Sequence, residues 1–84
     1  MTVDVENIDK SQKLELYIKP TCPYCQQAMA FYDAHGTKYM IHDAQNNSQA
    51  RARMFEYTSG DPTVPAIVVD GKYVQSGWGD PPRG

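Results

Sequence analysis

Cys22-Pro23-Tyr24-Cys25 holds both cysteines of this 84-residue chain. Two thiols separated by two residues can close a small disulfide and reopen it. The run from Ile18 to Ala28 sets the pair where a strand ends and a helix begins. A cysteine there faces the positive end of the helix macrodipole and several unpaired N–H groups. Both favour thiolate over thiol, and such positions draw thiol pKa values from about 8.5 to between ~3.5 and ~7.5. Lys19, three residues before Cys22, adds positive charge. Cys25 comes one turn later, where the N–H groups are already paired, and is expected to be shielded and less acidic. The asymmetry assigns Cys22 as the attacking thiolate and Cys25 as the resolving thiol. The chemistry is thiol–disulfide exchange through a mixed disulfide, resolved by Cys25 or by an external thiol.

Other uses of the pair fit less well. Two cysteines make no structural framework of the kind that four, six or eight give small secreted domains. A metal site would need His35 and His42. Nine residues separate Cys25 from His35 and six separate the two histidines, which is not zinc-finger spacing. His35 also falls at the far end of the helix that starts at Cys22, roughly 20 Å away at ~1.5 Å per residue. It reads as a C-cap, and His42 as a surface strand residue. No metal is expected.

Composition narrows the remaining classes. Hydrophobic residues make up 40% and charged residues 21%, with net charge -2 and a pI near 5.5. The eight Lys and Arg are scattered, so neither nucleic acid nor an anionic membrane surface is an expected partner. No run approaches the ~20 apolar residues of a membrane span. The acidic start, Met1 to Asn7, lacks the basic and apolar regions of a secretory signal. A cytoplasmic location is the default.

The elements that must position the dithiol follow from periodicity. Residues 1–12 read as a flexible lead-in and residues 13–84 as one small domain. Leu14 to Ile18 is a buried strand. Pro23 suits the first helical turn, with Thr21 or Cys22 near the N-cap. Tyr24, Ala28, Phe31 and Tyr32 share one helical face, and Gly36 ends that helix. Lys38 to Asp43 is a second strand. Asn46, Asn47 or Ser48 caps a helix through Tyr57, stopped by Gly60-Asp61-Pro62. Ala66–Val69 and Lys72–Gln75 form a hairpin about Asp70-Gly71. The order is β-α-β-α-β-β, an α/β fold with its first two strands parallel across a right-handed crossover. The tail after Gly77 is too rich in Gly and Pro for a regular helix.

Tyr17-Ile18-Lys19-Pro20-Thr21-Cys22-Pro23-Tyr24-Cys25, then Thr63-Val64-Pro65 about forty residues later, then the hairpin ending in Ser76-Gly77-Trp78, resemble a dithiol glutaredoxin over about Leu14 to Gly77. The resemblance implies a thioredoxin-like fold with a four-stranded mixed sheet and a cis bond before Pro65. Val64 N–H and C=O would then be free to pair with an extended substrate. It implies glutathione as electron donor, and protein disulfides or glutathionylated proteins as substrates. Lys19 would meet the glycine carboxylate of glutathione and Val64 its cysteine backbone. Tyr24, Thr63, Pro65, Gly77 and Trp78 would line the groove. Gln49, Arg51 and Arg53 are candidates for one further contact from the second helix.

Two features depart from the family pattern. Ser76-Gly77-Trp78 replaces a Gly-Gly pair, and Asp80 is out of register. This hairpin end is similar to that of the ribonucleotide-reductase redoxins, which thioredoxin reductase reduces, and Trp78 could fill part of the glutathione position. A module that holds a metal or an iron–sulfur cluster without catalysis is the reading from another class. The second departure is the usual C-terminal helix, which is missing or cut short. One sheet face is then expected to be under-covered, with an exposed apolar patch and a weakly stable monomer or weak self-association.

Overall fold

The computed structural model describes residues 4–84. Six elements follow in order: β1 (Leu14–Ile18), α1 (Pro23–Ala34), β2 (Met40–Asp43), α2 (Ser48–Thr58), β3 (Ala66–Val69) and β4 (Lys72–Ser76). The sheet order is β2-β1-β3-β4. β1 runs parallel to β2 and antiparallel to β3, and β4 returns antiparallel to β3. This is the expected β-α-β-α-β-β mixed sheet.

Burial explains the strand order. Every residue of β3 is buried, as are four of the five in β1. Those strands take the centre, where both faces and both edges are covered. Asp70 (φ 52°) and Gly71 (φ 77°) make the hairpin turn with two left-handed residues. Lys13 N–H donates to Asp70 Oδ1, and Asp70 N–H donates to Lys13 C=O, both at 2.8 Å, which ties the turn to the start of β1. β2 is shorter than its sequence suggests. Tyr39 is still crossing from α1, packed on Tyr32 at 5.9 Å and hydrogen-bonded to Asp33 at 2.8 Å.

α2 has a side-chain cap, whereas α1 opens on Pro23 without one. Asn47 accepts from the Gln49 and Ala50 N–H groups at 3.0 Å. α2 closes on Ser59, in left-handed geometry at φ 58°, one residue before the glycine expected to stop it. The inner face of α1 is Cys25, Ala28 and Tyr32, with Phe31 only half-buried beside them.

The expected bare sheet face is not present. Val5, Ile8 and Trp78 pack against the core, so residues from both flanks cover the side that carries α1. Tyr32 Oη donates to Val5 C=O at 2.7 Å, and the Trp78 ring lies 5.4 Å from both Phe31 and Tyr32. Residues 77–84 form no helix, and Trp78 packs on α1. The exposed large apolar side chains among the described residues are Met40, Ile41 and Tyr73, all on edge strands. Of the expected lead-in, residues 1–3 lie outside the described residues; residues 4–12 carry turns closed by Asp4 and Asp9.

Candidate active site

Cys22 is the N-cap of α1, with φ -83° and ψ 121°, and Pro23 opens the helix. Proline loses nothing there, because that N–H has no helical partner. Cys22 N–H donates to Lys19 C=O at 2.9 Å, closing the turn that carries the chain out of β1. Gln26 N–H donates to Cys22 C=O at 3.2 Å, and its side-chain amide reaches Pro20 C=O at 3.1 Å. Thr21 Oγ1 donates to Gln45 Oε1 at 3.2 Å, pinning the same loop to the segment after β2. The Cys22 side chain makes no capping hydrogen bond and is half-buried. Its sulfur is therefore placed at the helix mouth without being committed to the helix.

Cys25 sits one turn in, fully buried, and both cysteines are free thiols. Burial pushes the Cys25 thiol up from 9.0 to about 12. A backbone contact from Lys19 and the Lys19 charge pull it down, while charge on the neighbouring Cys22 pushes it further up. The thiolate is the nucleophile in exchange, so a buried, protonated Cys25 leaves Cys22 as the sulfur that can attack first. The shielding of Cys25 expected from the spacing is present as full burial, against a half-buried Cys22.

The other half of the site lies on the loop into β3. The Val64–Pro65 bond is cis. β1 and β3 pair through Tyr17 with Ala66, so the next residues outward, Ile18-Lys19 and Val64-Pro65, leave the sheet at the same end. The turn at Lys19 brings Cys22 to that end as well. Asp61 clamps the loop. Its Oδ1 accepts from Thr63 N–H at 2.9 Å, and its C=O accepts from Thr58 Oγ1 at 2.9 Å. The hydrogen bonds from Thr63 hold the Asp61 carboxyl below its ordinary value.

Lys19, Tyr24, Thr63, Val64 and Pro65 thus join the two cysteines at one end of the sheet, with Lys19, Tyr24 and Thr63 half-buried. Gly77 and Trp78 are placed differently. Gly77 N–H is already spent on Pro65 C=O at 2.8 Å. The Trp78 indole rests on Phe31 and Tyr32, over two helical turns beyond Cys22, so it acts as a cap on the core. Of the α2 candidates, Arg51 points toward the site's loop, with Nη1 at 3.4 Å from Gln45 C=O. Gln26, Gln45 and Asp61 were missed as site-building residues. Only Asp61 carried a signal, the Asp-x-Thr spacing of a side-chain turn.

Neither histidine joins the dithiol. His35 is the C-cap of α1, its Nδ1 2.8 Å from Phe31 C=O and its ring stacked on Phe31. His42 is not a free surface residue. It stacks on Tyr17 at 4.6 Å, and its Nε2 meets Glu15 Oε1 at 3.1 Å on the α2 face.

Known proteins resemble this chain in sequence and in fold. Glutaredoxin 3 of Escherichia coli K12 is 34% identical over 61 residues, which is 73% of this chain and 72% of that protein. A probable glutaredoxin of Synechocystis is 28% identical over 64 residues, 76% of this chain and 73% of its own length. Among solved structures, a mutant of the thioredoxin-like protein BC3987 superposes with a TM-score of 0.67 at 30% identity, covering 76% of this chain and 81% of the other. A buckwheat glutaredoxin–glutathione complex gives 0.65 at 26% identity, over 80% of this chain and 63% of the other. The family model for glutaredoxin matches residues 14–74, a stretch that takes in both cysteines and the Val64 loop, and the chain belongs to that family.

Proposed function

We propose that the protein is a glutathione-dependent thiol–disulfide oxidoreductase acting on protein disulfides and glutathione mixed disulfides. The inequality of the two sulfurs carries this reading: Cys22 half-exposed at a helix mouth, Cys25 buried and held as a thiol. The Cys22 thiolate attacks one substrate sulfur. A Cys22–substrate S–S bond forms, the substrate bond breaks, and the leaving thiolate takes a proton. Cys25 then gives up its proton and attacks Cys22 sulfur, releasing the second substrate thiol. Two electrons have passed to the substrate, and the protein holds a Cys22–Cys25 disulfide. Two glutathione thiols return it to the dithiol, leaving as glutathione disulfide.

In this reading the Val64 N–H and C=O pair with the cysteine backbone of glutathione. The Lys19 ammonium faces its glycine carboxylate, and Tyr24, Thr63 and Pro65 wall the groove. The buckwheat complex supports glutathione as the ligand, being a similar fold solved with it. The test is turnover of a glutathionylated peptide with glutathione, NADPH and glutathione reductase. The wild type turns over and Cys22→Ser does not. Lys19→Gln raises the KM for glutathione by up to about fivefold, the range of a single exposed ion pair. A wild type that turns over only with thioredoxin reductase would overturn the donor assignment.

A further inference from the structure

The segment after β4 folds back onto the Val64 loop. Gly77, at φ 90°, bonds Pro65 C=O, and Trp78 and Arg83 then exchange both backbone hydrogen bonds, at 2.7 and 3.0 Å. The return is so close that a Cβ on Gly77 would stand 2.8 Å from Arg83 N. It delivers Gly84 onto Val64. A Cβ on Gly84 would collide with Val64 C=O and stand 2.8 Å from Val64 N and 2.7 Å from Thr63 Cγ2. Only glycine fits this approach.

Val64 is 3% exposed, yet among the described residues its N–H and C=O make no hydrogen bond. These are the two groups to which the substrate backbone is assigned. The Gly84 backbone therefore lies over a polar edge that it hides but does not satisfy. Buried unpaired backbone groups are costly, which favours exchange of this cover for a partner that does pair. The cover is also lightly held. The Trp78–Arg83 bridge joins two residues of the cover itself; beyond the Trp78 indole and the Gly77–Pro65 bond at its base, no hydrogen bond among the described residues ties Trp78–Gly84 to the rest of the molecule.

We propose that Trp78–Gly84 is an internal strap that competes with glutathione for the Val64 edge, so that binding requires the strap to lift. The inference rests on the glutaredoxin reading for the identity of the competitor. Apparent affinity falls by the fraction of molecules that are open. A strap closed in nine molecules of ten weakens binding by about tenfold.

The test is a chemical-shift titration of the reduced full chain with S-methylglutathione, a tripeptide whose blocked sulfur cannot exchange. Two variants loosen the strap by different means. Gly84→Ala introduces the collision, and Arg83→Pro removes the N–H that bonds Trp78 C=O. Both bind the tripeptide at least about threefold more tightly than wild type if the strap is closed two-thirds of the time or more. In wild type the Val64 and Gly84 amide signals then shift together. Iodoacetamide, which docks no backbone, modifies Cys22 at the same rate in all three proteins. Unchanged or weaker binding in both variants overturns the strap, as does a wild type that binds the tripeptide without moving the Gly84 signal. The titration transfers no electrons, so tighter binding without glutathione turnover would fault the enzymatic reading and leave the strap standing.

Discussion

At the scale of single residues, the site works by giving two like side chains unlike surroundings. Cys25 lies on the inner face of α1 with Ala28 and Tyr32. Its thiol is raised from 9.0 to about 12, chiefly by burial. A group whose acid form is favoured by folding supports the fold fully below its unfolded pKa and loses that support as pH rises through the folded value. Urea denaturation of the reduced protein is therefore expected to show stability falling from about pH 9 upward. Cys25→Ala should make that slope shallower from its onset at about pH 9, while the buried Tyr32 phenol, also raised by burial, sustains part of it at higher pH. An equal slope in both proteins would place the titration elsewhere. The sequence alone marked both cysteines. It also predicted a shielded Cys25, which the full burial of that thiol bears out, but it misplaced the buried face, because the period drawn through Tyr24 and Phe31 is rotated from Cys25, Ala28 and Tyr32.

At the scale of elements, local signals and close approaches divide the work. Asn47 caps α2 and so fixes the turn that carries Gln45 and Arg51 toward Thr21. Asn47→Ala is expected to cost about 1 kcal/mol by denaturant unfolding. Gly77 answers a demand that no local pattern announces. It combines φ 90° with a Cβ position 2.8 Å from Arg83 N. Gly77→Ala is expected to cost more than about 1 kcal/mol, since Ala at positive φ is strained even in open space. An unchanged midpoint would mean that the tail does not hold this path. The strands, helices and hairpin were legible because each has its own punctuation: Pro23, Asn47, Asp70-Gly71. The path of residues 77–84 was not. Gly and Pro there rule out a helix but say nothing about which surface an irregular segment returns to.

At the scale of the molecule, irregular segments complete the cover that α1 begins on one side of the sheet. Val5 and Ile8 from one flank and Trp78 from the other pack where a bare apolar face was expected. That error had a physical origin. Counting elements misses coverage by loops, and one indole can bury as much apolar surface as several smaller side chains. Trp78→Ala is expected to destabilise the protein by on the order of 3 kcal/mol, read from urea midpoints. The variant would also release the segment it anchors, which links the core to the Val64 edge. A loss below 1 kcal/mol would show that the indole is not what closes the core. The central claim, that Cys22 attacks and that glutathione is its partner, is tested most directly by mass spectrometry of Cys25→Ser incubated with glutathione disulfide. One glutathionyl group per chain is expected, on Cys22, removed by added glutathione. An unmodified protein, or an adduct that free glutathione fails to clear, would contradict it.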